Sequence, residues 1–105
     1  MVRTTFNIAT QFSRYPGGRL RSDGPFSGEE FRDSVLRPLL DRDGQVEIEL
    51  DGTRGYPPSF LDEVFGGLVR LGYRKDDLKS RIIFSTSDDR LKKEVLSYID
   101  DAVGK

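Results

Sequence analysis

The chain contains no cysteine and no histidine. Without thiols there is no disulfide framework, thiol nucleophile, zinc knuckle or iron–sulfur site. Without imidazole, the commonest general base, the phospho-histidine relay and the commonest metal ligand are gone as well. Most familiar enzyme classes are thereby set aside, and the sequence implies neither a metal nor another cofactor. An excess of one charge is also missing. Lys and Arg number 17 against 18 Asp and Glu, for a formal net charge of −1, which argues against a nucleic-acid partner held by counterion release from phosphates. Long apolar runs are absent too. No basic segment leads into an apolar stretch of about 7–15 residues at the N-terminus, and nothing approaches the ~20 apolar residues of a membrane span. The expectation is a cytoplasmic protein without a membrane partner.

What remains is a chain of 105 residues, 35% hydrophobic and 33% charged. These values suit one folded domain over residues 1–105. Val2, Thr4, Phe6 and Ile8 fall on alternate positions and predict a first strand. The stretch from Tyr15 to Pro25 is rich in glycine, proline and other turn formers, and leaves room for a short second strand or hairpin. Ser27-Gly28-Glu29-Glu30 reads as a capping box, the Ser27 hydroxyl accepting from the Glu30 amide and the Glu30 carboxylate reaching back to the Ser27 amide. Phe31, Val35 and Leu39, with Leu36 and Leu40 beside them, make one apolar face on the helix that follows, with a bend or an early end expected at Pro38.

Val46, Ile48 and Leu50 alternate with polar residues as in a strand buried on one face. After Tyr56-Pro57-Pro58-Ser59, residues Leu61, Val64, Phe65, Leu68 and Val69 follow helical spacing, with Ser59 as the expected N-cap and Gly72 as the terminator. Ile82-Ile83-Phe84 reads as a short buried strand, and a last helix starts near Asp88, with Leu91, Val95, Ile99 and Ala102 on one face. Alternating strands and helices imply crossover connections. The predicted fold is α/β, a central, partly parallel sheet of about four strands with three helices.

In open α/β sheets, ligands and partners are met at the loops leaving the carboxyl ends of strands. Ser59 falls at such a place. Its hydroxyl has two readings: a plain helix cap, or an acceptor of phosphate at a helix start, where the dipole and free amides favour negative charge. Gly66-Gly67 inside the following helix costs about 1 kcal/mol per glycine relative to alanine. Close approach of that helix to the sheet is the expected compensation, and a docked partner is the alternative. Asp62 and Glu63 are neighbours pointing about 100° apart, a poor geometry for a metal site or an acid/base pair, and read as solvated first-turn carboxylates. Pro16-Gly17-Gly18-Arg19-Leu20-Arg21 lacks the spacing of a phosphate-binding loop and reads as a connector.

The stretch GRLRSDGPFSGEEFR from Gly18 to Arg32, followed by Leu50-Asp51-Gly52 and by SFLDEVFGGL from Ser59 to Leu68, resembles a STAS-like family of unknown function, DUF4325. The likeness covers nearly the whole chain. It implies a distant kinship to STAS domains, the fold of bacterial anti-sigma factor antagonists, small α/β domains that work by protein–protein contact. In those antagonists a partner kinase phosphorylates a serine at the start of the helix after a core strand. The resemblance places Ser59 at that position, although Pro57-Pro58-Ser59-Phe60 stands where the antagonists resemble one another in an Asp-Ser-Ser-Gly segment.

Two functions follow as expectations. The first is a non-enzymatic regulatory module in signalling, whose partner face comprises Tyr56, Pro57, Pro58, Phe60, Asp62 and Glu63, with Ser59 as the phospho-acceptor. Its protein partner would be a kinase or an anti-sigma-like regulator. The alternative is a small-anion or nucleotide sensor, in which Arg19 and Arg21 converge on the helix start at Ser59.

Overall fold

The computed structural model describes residues 3–104. Three strands, β1 (Arg3–Asn7), β2 (Gln45–Glu49) and β3 (Ile82–Ser85), form one sheet in the order β1-β2-β3, and both pairings are parallel. Thr4, Val46 and Ile82 line up across the sheet, as do Phe6, Ile48 and Phe84. Val2, expected on the same face, lies outside the described residues. Ile8 ends the alternation by opening a short helix, Ile8–Gln11, where the Asn7 side chain caps by accepting from the Thr10 amide at 2.9 Å.

Among the described residues the sheet thus has three strands where about four were expected, and both of its pairings are parallel. The segment from Tyr15 to Pro25 supplies no strand because its backbone groups are used locally. Gly17 donates to the Phe26 carbonyl at 2.7 Å, while Gly28 and Glu29 donate to Gly18 and Arg19 at 2.9 and 3.0 Å. The result is a closed surface loop with one 3-10 turn, Arg21–Asp23.

Each parallel pairing needs a crossover, and successive right-handed crossovers in one direction put their helices on the same face of the sheet. The first crossover contains the helix 28–40 and the second the helix 58–70. The chain ends in the helix Asp89–Asp101. These are the three expected helices, but a further one, Lys75–Arg81, was not anticipated. Only Leu78 of that helix is buried, so it carries no apolar periodicity. It is tied to the last helix by Lys79 Nζ on Asp100 Oδ1 and by Lys75 Nζ donating to the Asp100 carbonyl, both at 2.6 Å.

Ser27 is fully buried and accepts from the Glu30 amide at 3.1 Å, as a capping serine should. Its box closes one residue further out than expected, with the Glu30 carboxylate accepting from Phe26 at 3.0 Å. The helix does not stop at Pro38 but runs on to Leu40. Just before the proline the backbone widens into a π-turn, Arg32–Leu36, with the Arg37 amide bonding Arg32 five residues back. Gly72, at φ 108°, ends the helix 58–70 as expected, with Tyr73 donating to Leu68 and Gly72 to Val69, both at 3.0 Å.

The helix 58–70 is the middle element of the helical layer. Phe65 meets Phe84 of the sheet edge-on at 5.2 Å, and Phe60 lies against Phe31 of the helix 28–40 at 6.1 Å. With neighbours on several sides it buries Phe60, Leu61 and every residue from Val64 to Val69. Gly28 allows the two long helices to meet, since a Cβ there would stand 2.7 Å from the Phe60 carbonyl oxygen and 3.0 Å from Glu63 Cβ. Helix propensity favours Gly28→Ala. The opposite is expected: backbone cannot give way cheaply, so denaturant unfolding should show a loss of about 1–3 kcal/mol, the usual cost of overpacking. An unchanged or raised midpoint would mean that the helices can separate. Among the described residues no helix is long and apolar enough to cross a membrane.

Candidate functional site

The carboxyl edge of the sheet is built from the loop after β2, residues 50–57, and the turn after β3, residues 86–88. Asp51 joins the two. Its carboxylate accepts from the Thr86 hydroxyl at 2.6 Å and the Ser87 amide at 2.9 Å, and these two bonds hold the carboxyl below the usual range. Tyr56 closes the loop from below, donating to the Leu50 carbonyl at 2.6 Å, and burial pushes its phenol up to about 12.

Pro57, not Ser59, is the N-cap of the helix 58–70: its ψ of 138° is extended, and its carbonyl accepts from Phe60 and Leu61 at 3.0 and 3.3 Å. Pro58 is then the first helical residue, a position where proline is favoured because its missing N–H would find no helical partner. Ser59 becomes the second, half-buried in the first turn. The sequence placed the cap two residues late because serine is a far commoner cap than proline. Pro58 is exposed, and Tyr56 and Pro57 are half-buried. Phe60, expected on the partner face, has no exposed surface and packs among Phe12, Phe31 and Tyr56.

Asp62 and Glu63 are not free carboxylates. Arg19 Nη1 sits 2.7 Å from Asp62 Oδ2 and 3.2 Å from Glu63 Oε1, and Arg70 adds a second contact to Asp62 at 3.4 Å. The carboxylate of Glu63 also pairs with Arg32, itself held by Asp33 at 2.8 Å. Desolvation pushes the Asp62 carboxyl up, but the hydrogen bond from Arg19 and the charge of Arg70 outweigh it and leave it below the usual range. The hydrogen bond from Arg32, reinforced by Arg37, does the same for Asp33.

A second π-turn, Asp62–Gly66, shapes this cluster. The Gly67 amide bonds Asp62 in place of Glu63, and the Glu63 carbonyl accepts instead from Arg32 Nη1 at 3.2 Å. A Cβ on Gly67 would stand 2.7 Å from that same Nη1, and one on Gly66 would stand 2.7 Å from Asp62 Oδ1. The two glycines therefore make room for arginine–carboxylate pairs, rather than for the sheet as expected. Such bonds join residues 31 to 44 positions apart, so no local pattern announces them.

Nor do the two loop arginines form the anticipated anion site. Arg19 is taken up by Asp62 and Glu63, one turn beyond Ser59, while Arg21 turns to the other helix and donates to the Ser34 hydroxyl at 2.7 Å. What the sequence reading missed is a cleft of about 350 Å³ beside the β2 exit loop, with Arg54 and Arg90 in its walls.

The segment that carries the buried serine cap, the core strand β2, the helix 58–70 and the start of the last helix is a family signature. Residues 27–92 match the family described as STAS-like domain of unknown function (DUF4325). The chain belongs to this family. The match leaves the N-terminal strand and the whole loop before Ser27 outside, while it takes in both π-turns and the whole β2 exit loop. No curated protein and no solved structure matches this STAS-like chain.

Proposed function

We propose that this STAS-like domain is a non-enzymatic regulatory module that acts by contact with another protein, a kinase or an anti-sigma-like regulator. The contact face comprises the connector Tyr56-Pro57-Pro58 and the first turn of the helix it opens. The observation that carries the reading is the placement of Pro58 and Ser59, exposed and half-buried at the carboxyl edge of a parallel sheet. Phe60 drops out of that face because it belongs to the core, and Asp62 and Glu63 contribute charge to its border while remaining bound to arginine.

Ser59 is the switch in this reading, from within the first turn rather than as its cap. A phosphate there would add about −1.5 to −2 charge, which the helix dipole accepts, three and four residues ahead of Asp62 and Glu63 on the same helical face. A partner that docks on the uncharged connector would then meet a strongly negative one.

Full-length protein recovered from its native cells by an affinity tag tests this. Mass spectrometry of Ser59 is expected to show a phosphorylated fraction. A protein partner is expected to co-purify with Ser59→Ala and to be reduced about tenfold with Ser59→Asp, a change of about 1.4 kcal/mol. Equal recovery by both variants removes the switch, and recovery unaltered by Pro58→Lys removes the face.

A further inference from the structure

The geometry points to a binding site for a small organic anion, one carboxylate or phosphate group on a compact apolar body, in the cleft between the β2 exit loop and the last helix. Its volume, about 350 Å³, lies within the range of small-molecule sites, roughly 300–1,000 Å³. Leu50, Tyr56 and Leu91 supply apolar surface to the lining, with Leu50 buried and the other two half-buried. Arg54 stands in the loop wall and Arg90 in the helix wall.

The acidic groups of the lining are already occupied. Asp51 accepts from Thr86 and Ser87, Asp88 accepts from the Arg90 and Leu91 amides as the helix cap, and Glu94 accepts from the Tyr98 hydroxyl at 3.2 Å. The two guanidinium groups differ. Both residues are exposed, and neither takes part in an ion pair among the described residues.

A guanidinium matches a carboxylate or a phosphate with two parallel hydrogen bonds, and two of them facing one cleft can grip one such group. Because Asp88 has taken the helix-end amides, the grip comes from the arginine side chains. The three carboxylates set the selectivity. A polyphosphate would set several negative charges against Asp51, Asp88 and Glu94, where a single anionic group sets one or two. The site shares only Tyr56 with the partner face, and its charged groups are not those of the Ser59 switch, so either reading can fail alone.

The test is a titration of the isotopically labelled full chain, followed by its amide resonances, with phenyl phosphate and phenylacetate as probes. At least one probe is expected to give saturable shifts confined to residues 50–56 and 86–94, and which one succeeds identifies the preferred head group. Arg54→Gln/Arg90→Gln, which breaks no ion pair and should keep its melting temperature, is expected to weaken binding by at least about tenfold, the loss of charge-assisted hydrogen bonds. Arg74→Gln, an exposed arginine away from the cleft, should bind as the parent does. The proposal is overturned if neither probe saturates by about 10 mM, if the double variant binds unchanged, or if inorganic phosphate or ATP binds as tightly as phenyl phosphate.

Discussion

Phe60→Ala is expected to cost about 3–5 kcal/mol of folding stability, the range for truncating a buried aromatic. For a domain near 100 residues that is a fall in melting temperature of roughly 12–25 °C. The size of the effect follows from where the ring sits. Phe60 has no exposed surface, and its centroid lies 6.0, 6.1 and 6.4 Å from those of Tyr56, Phe31 and Phe12. It joins the helix 58–70, the helix 28–40 and the N-terminal segment in one aromatic cluster, and alanine would leave a cavity bounded by groups from all three. Thermal and denaturant unfolding would measure this. A loss below about 1 kcal/mol would place Phe60 on the surface after all, as the sequence pattern had it.

Glu63→Leu is expected to be nearly as costly, about 3 kcal/mol, because it strips a partner from an arginine that is only 8% exposed. Arg32 would keep Asp33 and the Glu63 carbonyl, which holds the cost toward the lower end for breaking a buried pair. The diagnostic comparison is the double variant Arg32→Met/Glu63→Leu. If the cost of the single change lies in an uncompensated buried charge, removing that charge should recover most of the lost stability. A double variant as unstable as the single one would show that shape at the π-turns matters more than charge.

The same cluster sets the acid limb of stability. Asp33 and Asp62 have folded-state pKa values lowered by their arginine contacts. A lowered carboxyl contributes stability that is fully present above its unfolded value, about 3.9, and is lost as pH falls through the lower folded value. Unfolding midpoints measured through this window should therefore decline below about pH 4, and Asp62→Asn should flatten part of that decline.

Much of the frame was legible in the residues. Alternation at Thr4 and Phe6 and at Val46 and Ile48, and the short apolar run Ile82-Ile83-Phe84, marked three strands whose partners then fell into one register. Ser27 and Asp88 announced two helix starts, and Gly72 one helix end. Each is a local signal, because a strand face repeats every two residues and a cap acts within one turn. The loop at residues 15–25 was legible as a loop but not as one closed on itself, since its bonds run to Phe26 and the start of the next helix. The cap expected at Ser59 lies two residues earlier, at Pro57, where two prolines displaced the usual cap chemistry.

By itself, the sequence of this STAS-like domain determined its strands, its three long helices and the exclusion of thiol and imidazole chemistry, because composition and short-range periodicity are properties of neighbouring residues. Only the tertiary structure decided which charged groups are spoken for. Arg19, Asp62 and Glu63 looked like a surface and proved to be a joint, while Arg54 and Arg90 drew no attention and were left facing a cleft. The reason is that an ion pair forms wherever packing brings opposite charges within about 4 Å, and that distance is fixed by how helices cross a sheet, across dozens of intervening residues.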